Sequence, residues 1–334
     1  TASIATDTTV DSLATLTGTN AYTITIAASD ATGSTASELT AIDNATSVTV
    51  DVSAITSIEG TYGEITALYG SSGVSGFGDE SITITGGSLT VLEANAIDAL
   101  TTGVVTASIV TTEIVDSLAT LTGTNNSYTI TIAEADATGS TAAELNTIDA
   151  ATTVTIDAGE ITGIEGTYDQ IVALYESPEV SGLENENISI TDEITVTQAN
   201  AIDLLTTGVV TASIVTTETV DSLKTLTGTN NAYTIVISET SASASDLNAI
   251  NGLTTATVDL TNVTSVTSSA LSDLDTLSTA ISDQEFINAT NLETSAVSDS
   301  EIDITSSEAI IDTLDEIDAG SIDMTMASGA TINV

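Results

Sequence analysis

The sequence predicts an α/β solenoid of about 12 strand–helix steps with a stacked parallel sheet. Three observations carry that expectation. A long unit repeats along the 334 residues, short β-branched and helix-like runs alternate inside the unit, and the apolar residues are almost all aliphatic.

The repeat comes first. TASIVTTEIVDSLATLTGTNNSYTITI from Thr106 matches TASIATDTTVDSLATLTGTNAYTITI from Thr1 and TASIVTTETVDSLKTLTGTNNAYTIVI from Thr211, so the copies begin 105 residues apart. The match continues through ELTAIDNATSVTVD and ELNTIDAATTVTID, IEGTYGEITALY and IEGTYDQIVALY, then ANAIDALTTGVV and ANAIDLLTTGVV. Repeat 1 therefore covers 1–105 and repeat 2 covers 106–210. Residues 211–334 form a divergent repeat 3 and C-terminal cap, faithful until about residue 262.

Within repeat 2 the strand candidates are VVTASI (Val104 to Ile109), YTITI (Tyr128 to Ile132), TVTID (Thr153 to Asp157) and ISIT (Ile188 to Thr191). Period two places Ile130 and Ile132 on one face and Thr129 and Thr131 on the other. Between the strands lie helix candidates TEIVDSLATL, TAAELNTIDA, TYDQIVALYE and TQANAIDLLT, with Ile114, Leu118 and Leu121 expected on one apolar face. Gly103, Gly123 and Gly208 mark turns. Four steps of about 26 residues per unit are typical of a stacked α/β array. The alternative is a row of small β-rich sandwich domains, which needs tight hairpins where this sequence has helix-like connections.

Composition narrows function. There are 48 acidic residues against one Lys and no Arg, a formal charge of −47, yet 41% of residues are hydrophobic and mean hydropathy is +0.30. That apolar content predicts a folded chain rather than an acidic disordered one. With no Cys and no His, disulfides, thiolate metal sites and the usual general base are absent, and the chain is expected not to be an enzyme. A carboxylate-pair glycosidase survives those losses, but no distinctive acid pair stands out. Nucleic acid and anionic membrane would be repelled, and the apolar runs are too short for membrane insertion. No signal-peptide pattern opens the sequence, which predicts a mature form or a fragment. Scarcity of Lys and Arg fits an extracellular or cell-surface location, where trypsin-like proteases would find one site.

The combination of LTGTNAYTITI, SELTAIDNATSVTVD and EANAIDALTTGVV resembles the acidic Thr/Ala/Asp-rich tandem-repeat extracellular surface proteins of cyanobacteria and other bacteria. The resemblance covers most of residues 1–262. It implies a secreted sheath, fibre or surface-layer protein, often calcium-associated. The calcium-binding nonapeptide of some such proteins, G-G-x-G-x-D, does not occur here.

Several residues stand out as candidate sites. Asp30 and Glu38 flank DATGSTASE, and Asp136 and Glu144 flank DATGSTAAE. Such loops offer the oxygen ligands calcium prefers, making calcium the one candidate cofactor. The same pattern is a capping box at a helix start. Asp51, Asp157 and Asp259 end VTVD-type strands and are expected outward, with Val50, Ile156 and Val258 inward. Tyr62, Tyr69, Tyr168 and Tyr175 recur as core or groove fillers. Lys224, at the position of Ala14 and Ala119, is expected to be a solitary exposed lysine. Asn44, Asn125, Asn187, Asn262 and Asn288 open Asn-x-Ser/Thr triplets, candidate glycan acceptors.

The functional expectation is a non-catalytic structural protein, the protomer of an extracellular filament, sheath or surface layer, with a further copy of itself as partner. Thr1, Ala2, Ser3 and Ile4 begin partway into a VVTASI-type strand. Ala330, Thr331, Ile332, Asn333 and Val334 form a strand-like end. Open strand edges seek partners, which predicts head-to-tail assembly. The alternative is an adhesin or stalk module that binds surface glycans.

Overall fold

The computed structural model describes residues 2–5, 8–27, 32–133, 139–228, 230–267, 269–289, 292, 295–297, 301–303, 324–326 and 331–333. The chain forms two compact units. The first is Thr1–Ile161 with Ala173–Leu183, and the second is Thr162–Val172 with Glu184–Val334. The division falls inside the second sequence copy rather than between copies.

Strands and helices alternate through both units, and every strand pairing among the described residues is parallel. In the first unit Ser34–Thr35, Ser57–Gly60, Ser81–Ile84, Val105–Ser108 and Ser127–Thr129 follow one another in one sheet. Val50–Asp51 pairs with Val74–Ser75, and Ile156–Asp157 with Val180–Ser181. In the second unit Gly163–Gly166, Asn187–Ile194, Val210–Ile214, Ala232–Val236, Val258–Asp259 and Phe286–Ile287 are successive neighbours. Ser241–Ser243 pairs with Ser265–Thr267, Ser295–Val297 with Met324–Met326, and Glu301–Asp303 with Thr331–Asn333. Parallel pairing excludes hairpin-joined sandwiches, because parallel neighbours need a crossover.

The register stacks like on like. Ile58 lies beside Ile82 and Ile82 beside Val105, all buried. Val50 lies beside Val74, and Val258 beside Phe286. These pairings place one apolar side chain on another, and full burial of one such side chain contributes about 1.5–3 kcal/mol. Period two holds as expected: Ile130 and Ile132 are buried while Thr129 and Thr131 are exposed.

The helices cover this aliphatic ladder with one stripe each. Leu39, Ile42 and Ala45 point inward from Ala36–Ala45, as do Leu145, Ile148 and Ala151 from Ala142–Ala151. Ala94 and Ile97 do so from Val91–Asp98, and Ala199 and Ile202 from Val196–Asp203. Their starts are local. Thr35, Thr61, Thr90, Thr141 and Thr195 each close a capping box with the Glu or Gln three residues on.

Two expectations need correction. The TEIVDSLATL run is a helix only over Val115–Leu118, and Ile114 is 48% exposed. Ile114 is the cap residue, so Val115 rather than Ile114 joins Leu118 in the core. Second, a single strand per step is too few. Ser140–Thr141, Gly163–Gly166 and Val180–Ser181 are additional strands, too short or too glycine-rich to show a two-residue alternation.

Candidate functional site

A chain with one cation must satisfy its carboxylates in other ways, and backbone N–H groups and hydroxyls do so here. Glu38 Oε2 accepts from Thr35 N at 3.0 Å and from Thr35 Oγ1 at 2.7 Å, while Glu38 N donates to Thr35 Oγ1 at 3.1 Å. Glu144 repeats the arrangement with Thr141 at 3.1, 2.6 and 3.2 Å. Burial pushes the Glu38 carboxyl up, but the Thr35 donors outweigh it and hold it below the ordinary range. The Thr141 hydroxyl does the same for Glu144 against a smaller effect of burial. Both glutamates therefore act as capping residues. Asp30 and Asp136, expected beside them, lie outside the described residues, and no group of three acidic side chains among the described residues could hold a metal.

Other acids reach across to the adjacent step. Glu113 Oε1 accepts from Val91 N at 3.0 Å, Glu218 Oε1 from Val196 N at 2.9 Å, and Glu239 Oε1 from Val220 N at 2.7 Å. Each meets amides at the start of a neighbouring helix, where the first N–H groups have no intrahelical acceptor. Asp51, Asp157 and Asp259 close turns: each Oδ1 accepts from the backbone N two residues on, at 3.0, 3.2 and 2.8 Å. Val50, Ile156 and Val258 beside them are buried, as the strand pattern requires.

A largely buried polar network recurs in repeats 2 and 3. Asn126 Nδ2 donates to Asp98 Oδ1 at 2.8 Å and to Tyr128 Oη at 3.1 Å, and Asn126 Oδ1 accepts from Val105 N at 2.8 Å. Asn231 makes the same three bonds with Asp203, Tyr233 and Val210 at 2.7, 2.9 and 2.8 Å. Tyr128 and Tyr233 are fully buried, and burial, with the nearby aspartate second, pushes both phenols well above their ordinary range. The repeated Asn-Tyr spacing is the signal that could have found this network in the sequence. Of the four tyrosines singled out there, Tyr69 stacks on Phe77 at 4.1 Å and donates to the buried Glu80, while Tyr62 and Tyr168 are half-buried.

Lys224 is not the solitary exposed lysine its sequence context predicts. Its side chain is only 30% exposed, and Nζ bridges Asp221 Oδ1 at 3.0 Å and Asp246 Oδ1 at 2.6 Å. The helices Val220–Leu223 and Ala244–Asn251 that carry these groups pack on each other, and the aspartates come from adjacent steps.

The assembly candidates divide. Ala2 and Ser3 are exposed and pair in parallel with Tyr22 and Thr23. Ile4 is half-buried, with its N donating to Thr23 O at 3.1 Å. Thr331, Ile332 and Asn333 pair with Glu301, Ile302 and Asp303. Thr1, Ala330 and Val334 lie outside the described residues. Among the glycan-acceptor candidates all five asparagines are exposed. Asn262 Nδ2 donates to Ile237 O at 3.1 Å, Asn288 Nδ2 to Asp259 Oδ1 at 2.8 Å, and Asn187 Oδ1 accepts from Val209 N at 2.9 Å. Among the described residues no helix is long and apolar enough to cross a membrane.

Comparison with protein-family models, curated proteins and solved structures gives no match to this chain.

Proposed function

We propose that the chain is a structural protomer, a solenoid of about 12 stacked strand–helix steps that assembles head-to-tail into an extracellular filament, sheath or surface layer. One observation carries the reading. Strand Ala2–Ser3 is exposed and, among the described residues, hydrogen-bonds a strand on one side only. A chain whose pairings all run parallel, step onto step, presents at such an edge the geometry that another step would fit. The strand Thr331–Asn333 is the proposed complement, again paired on one side among the described residues. Contact between unlike edges is heterologous and propagates instead of closing into a dimer.

The charge of −47 opposes that packing, so the assembly needs screening by cations, calcium being the natural extracellular one. Electron microscopy of the purified chain with and without residues 328–334 tests the reading. Polymers from the full chain that are lost on truncation are expected, whereas polymers of unchanged length from the truncated chain would overturn it. Calcium chelation is expected to shorten the polymers at unchanged protein concentration.

A further inference from the structure

Lys224 is the only lysine of the chain and there is no arginine, so a protease directed to basic residues has one bond to attack, Lys224–Thr225. The fold closes that bond from within its own turn and from both neighbouring steps. Lys224 has helical backbone, its N donating to Val220 O at 3.1 Å, and Thr225 N donates to Ser222 O at 2.8 Å. From the preceding step Asn200 Nδ2 donates to Thr225 O at 2.8 Å, and Asn200 Oδ1 accepts from Thr227 N at 2.8 Å. From the following step Asp246 takes the Lys224 ammonium, which Asp221 shares. Leu223 and Leu226 on either side are buried. The second repeat has the same backbone clamp after Ala119: Asn95 Nδ2 donates to Thr120 O at 2.9 Å and Asn95 Oδ1 accepts from Thr122 N at 2.8 Å. The clamp therefore belongs to the stacked step, and the third repeat adds the ammonium bridge.

A lysine-directed serine protease must lay an extended segment in its cleft and draw the lysine side chain into a pocket that ends in a carboxylate. Neither demand is met in the folded chain. The backbone at Lys224, with φ −62° and ψ −16° or less negative across this turn, is helical rather than extended. Two carboxylates already hold the ammonium by the chemistry the pocket would use. Cutting needs the segment around Lys224 to come away from both neighbouring steps, with Leu223 and Leu226 exposed to water.

We propose that Lys224–Thr225 is a latent cleavage site for lysine-directed serine proteases, closed in the folded chain by Asn200 and by the Asp221–Lys224–Asp246 bridge, and opened by local separation of the steps. Hydrolysis adds one water across the opened bond and leaves the Lys224 carboxylate and the Thr225 amine. The cut divides the third repeat just after Val220–Leu223. It concerns a single chain and does not rest on head-to-tail assembly.

Trypsin digestion of the full chain, with fragments identified by mass, tests the proposal. Unfolded in urea, the chain is expected to give fragments 1–224 and 225–334. Folded, it is expected to be cut at least about a hundredfold more slowly, because cleavage tracks the population of the opened segment. Asp246→Asn keeps the side-chain shape and removes the charge, and should speed cutting of the folded chain about threefold to fivefold. Asn200→Ala, which frees Thr225 O and Thr227 N, should speed it as well. Digestion of either variant by a glutamate-directed protease, whose sites lie along the whole chain, is expected to run at the natural rate. A folded natural chain cut as fast as the unfolded one would overturn the closure. Variants cut by trypsin at the natural rate, or accelerated equally with both proteases through general loss of stability, would overturn the roles of Asn200 and the bridge.

Discussion

The first and second repeats carry the same Asn-Tyr pair with different consequences. Toward the following step the two copies agree. Thr46 Oγ1 donates to Tyr22 O at 2.7 Å, and Thr152 Oγ1 to Tyr128 O at 2.8 Å. Toward the preceding step they part. Tyr128 and Asn126 are buried under Asp98 and Val105, whereas Asn20 is exposed and Tyr22 half-buried. Identical local sequence therefore does not confer identical burial. The neighbouring step does, as expected where each unit buries its face only by stacking.

The sharpest way to break this comparison is to remove the asparagine. Asn126→Ala leaves Val105 N, Asp98 and Tyr128 Oη without their partner in a buried position, which should cost about 2–3 kcal/mol. Asn20→Ala, at an exposed position, should cost less than about 0.5 kcal/mol. Urea unfolding of the two variants measures both; equal midpoints would show that the upstream step contributes nothing.

A smaller contrast comes from the turn before the asparagine. Gly18 and Gly123 both have positive φ, at 75° and 82°. A Cβ on Gly18 would lie 3.7 Å from its nearest neighbour, Asn20 Nδ2, while one on Gly123 would collide with Asn126 and Asp98. Gly18→Ala should therefore cost only the backbone strain of about 1–2 kcal/mol, and Gly123→Ala measurably more. Thermal unfolding of the pair reads the difference, and a Gly18→Ala variant as unstable as Gly123→Ala would contradict it.

Capping should show no such contrast, because it is made within the step. Thr35→Ala and Thr141→Ala should each cost about 1 kcal/mol, alike in both repeats. The smallest expected effect is on pH. Glu38 and Glu144 are held below 4.5 in the folded chain, so their contribution is complete above that value and is lost as pH falls through the lower folded value. A Glu144→Gln variant should lose less stability than the natural chain between pH 5 and pH 3. These pH limits bracket the ordinary carboxyl range, ~4. Parallel acid-unfolding curves for the two proteins would refute the assignment.

Much of the fold was legible in the sequence because its signals are local. Period two in YTITI places Ile130 and Ile132, and Thr followed three residues later by Glu marks the starts at Ala36 and Ala142. The two-residue strands Ser140–Thr141 and Val180–Ser181 were not legible, since two residues have no period and their pairing is set by the neighbouring step. Glu38 and Glu144 were legible as caps, but the bond from Asn126 to Asp98 was not. Those two residues lie 28 positions apart along the sequence and meet only because one step packs on the next.

The sequence alone determined the repeat, the alternation of strands and helices, the outward threonines and aspartates, and the need to satisfy 48 acids with a single lysine. Each follows from residue type and short-range spacing. Only the tertiary structure decided which acids meet: that Lys224 bridges Asp221 and Asp246, and that Asp98 closes over Asn126. Parallel stacking sets those contacts, and it brings together residues more than twenty positions apart whose pairing no local pattern encodes.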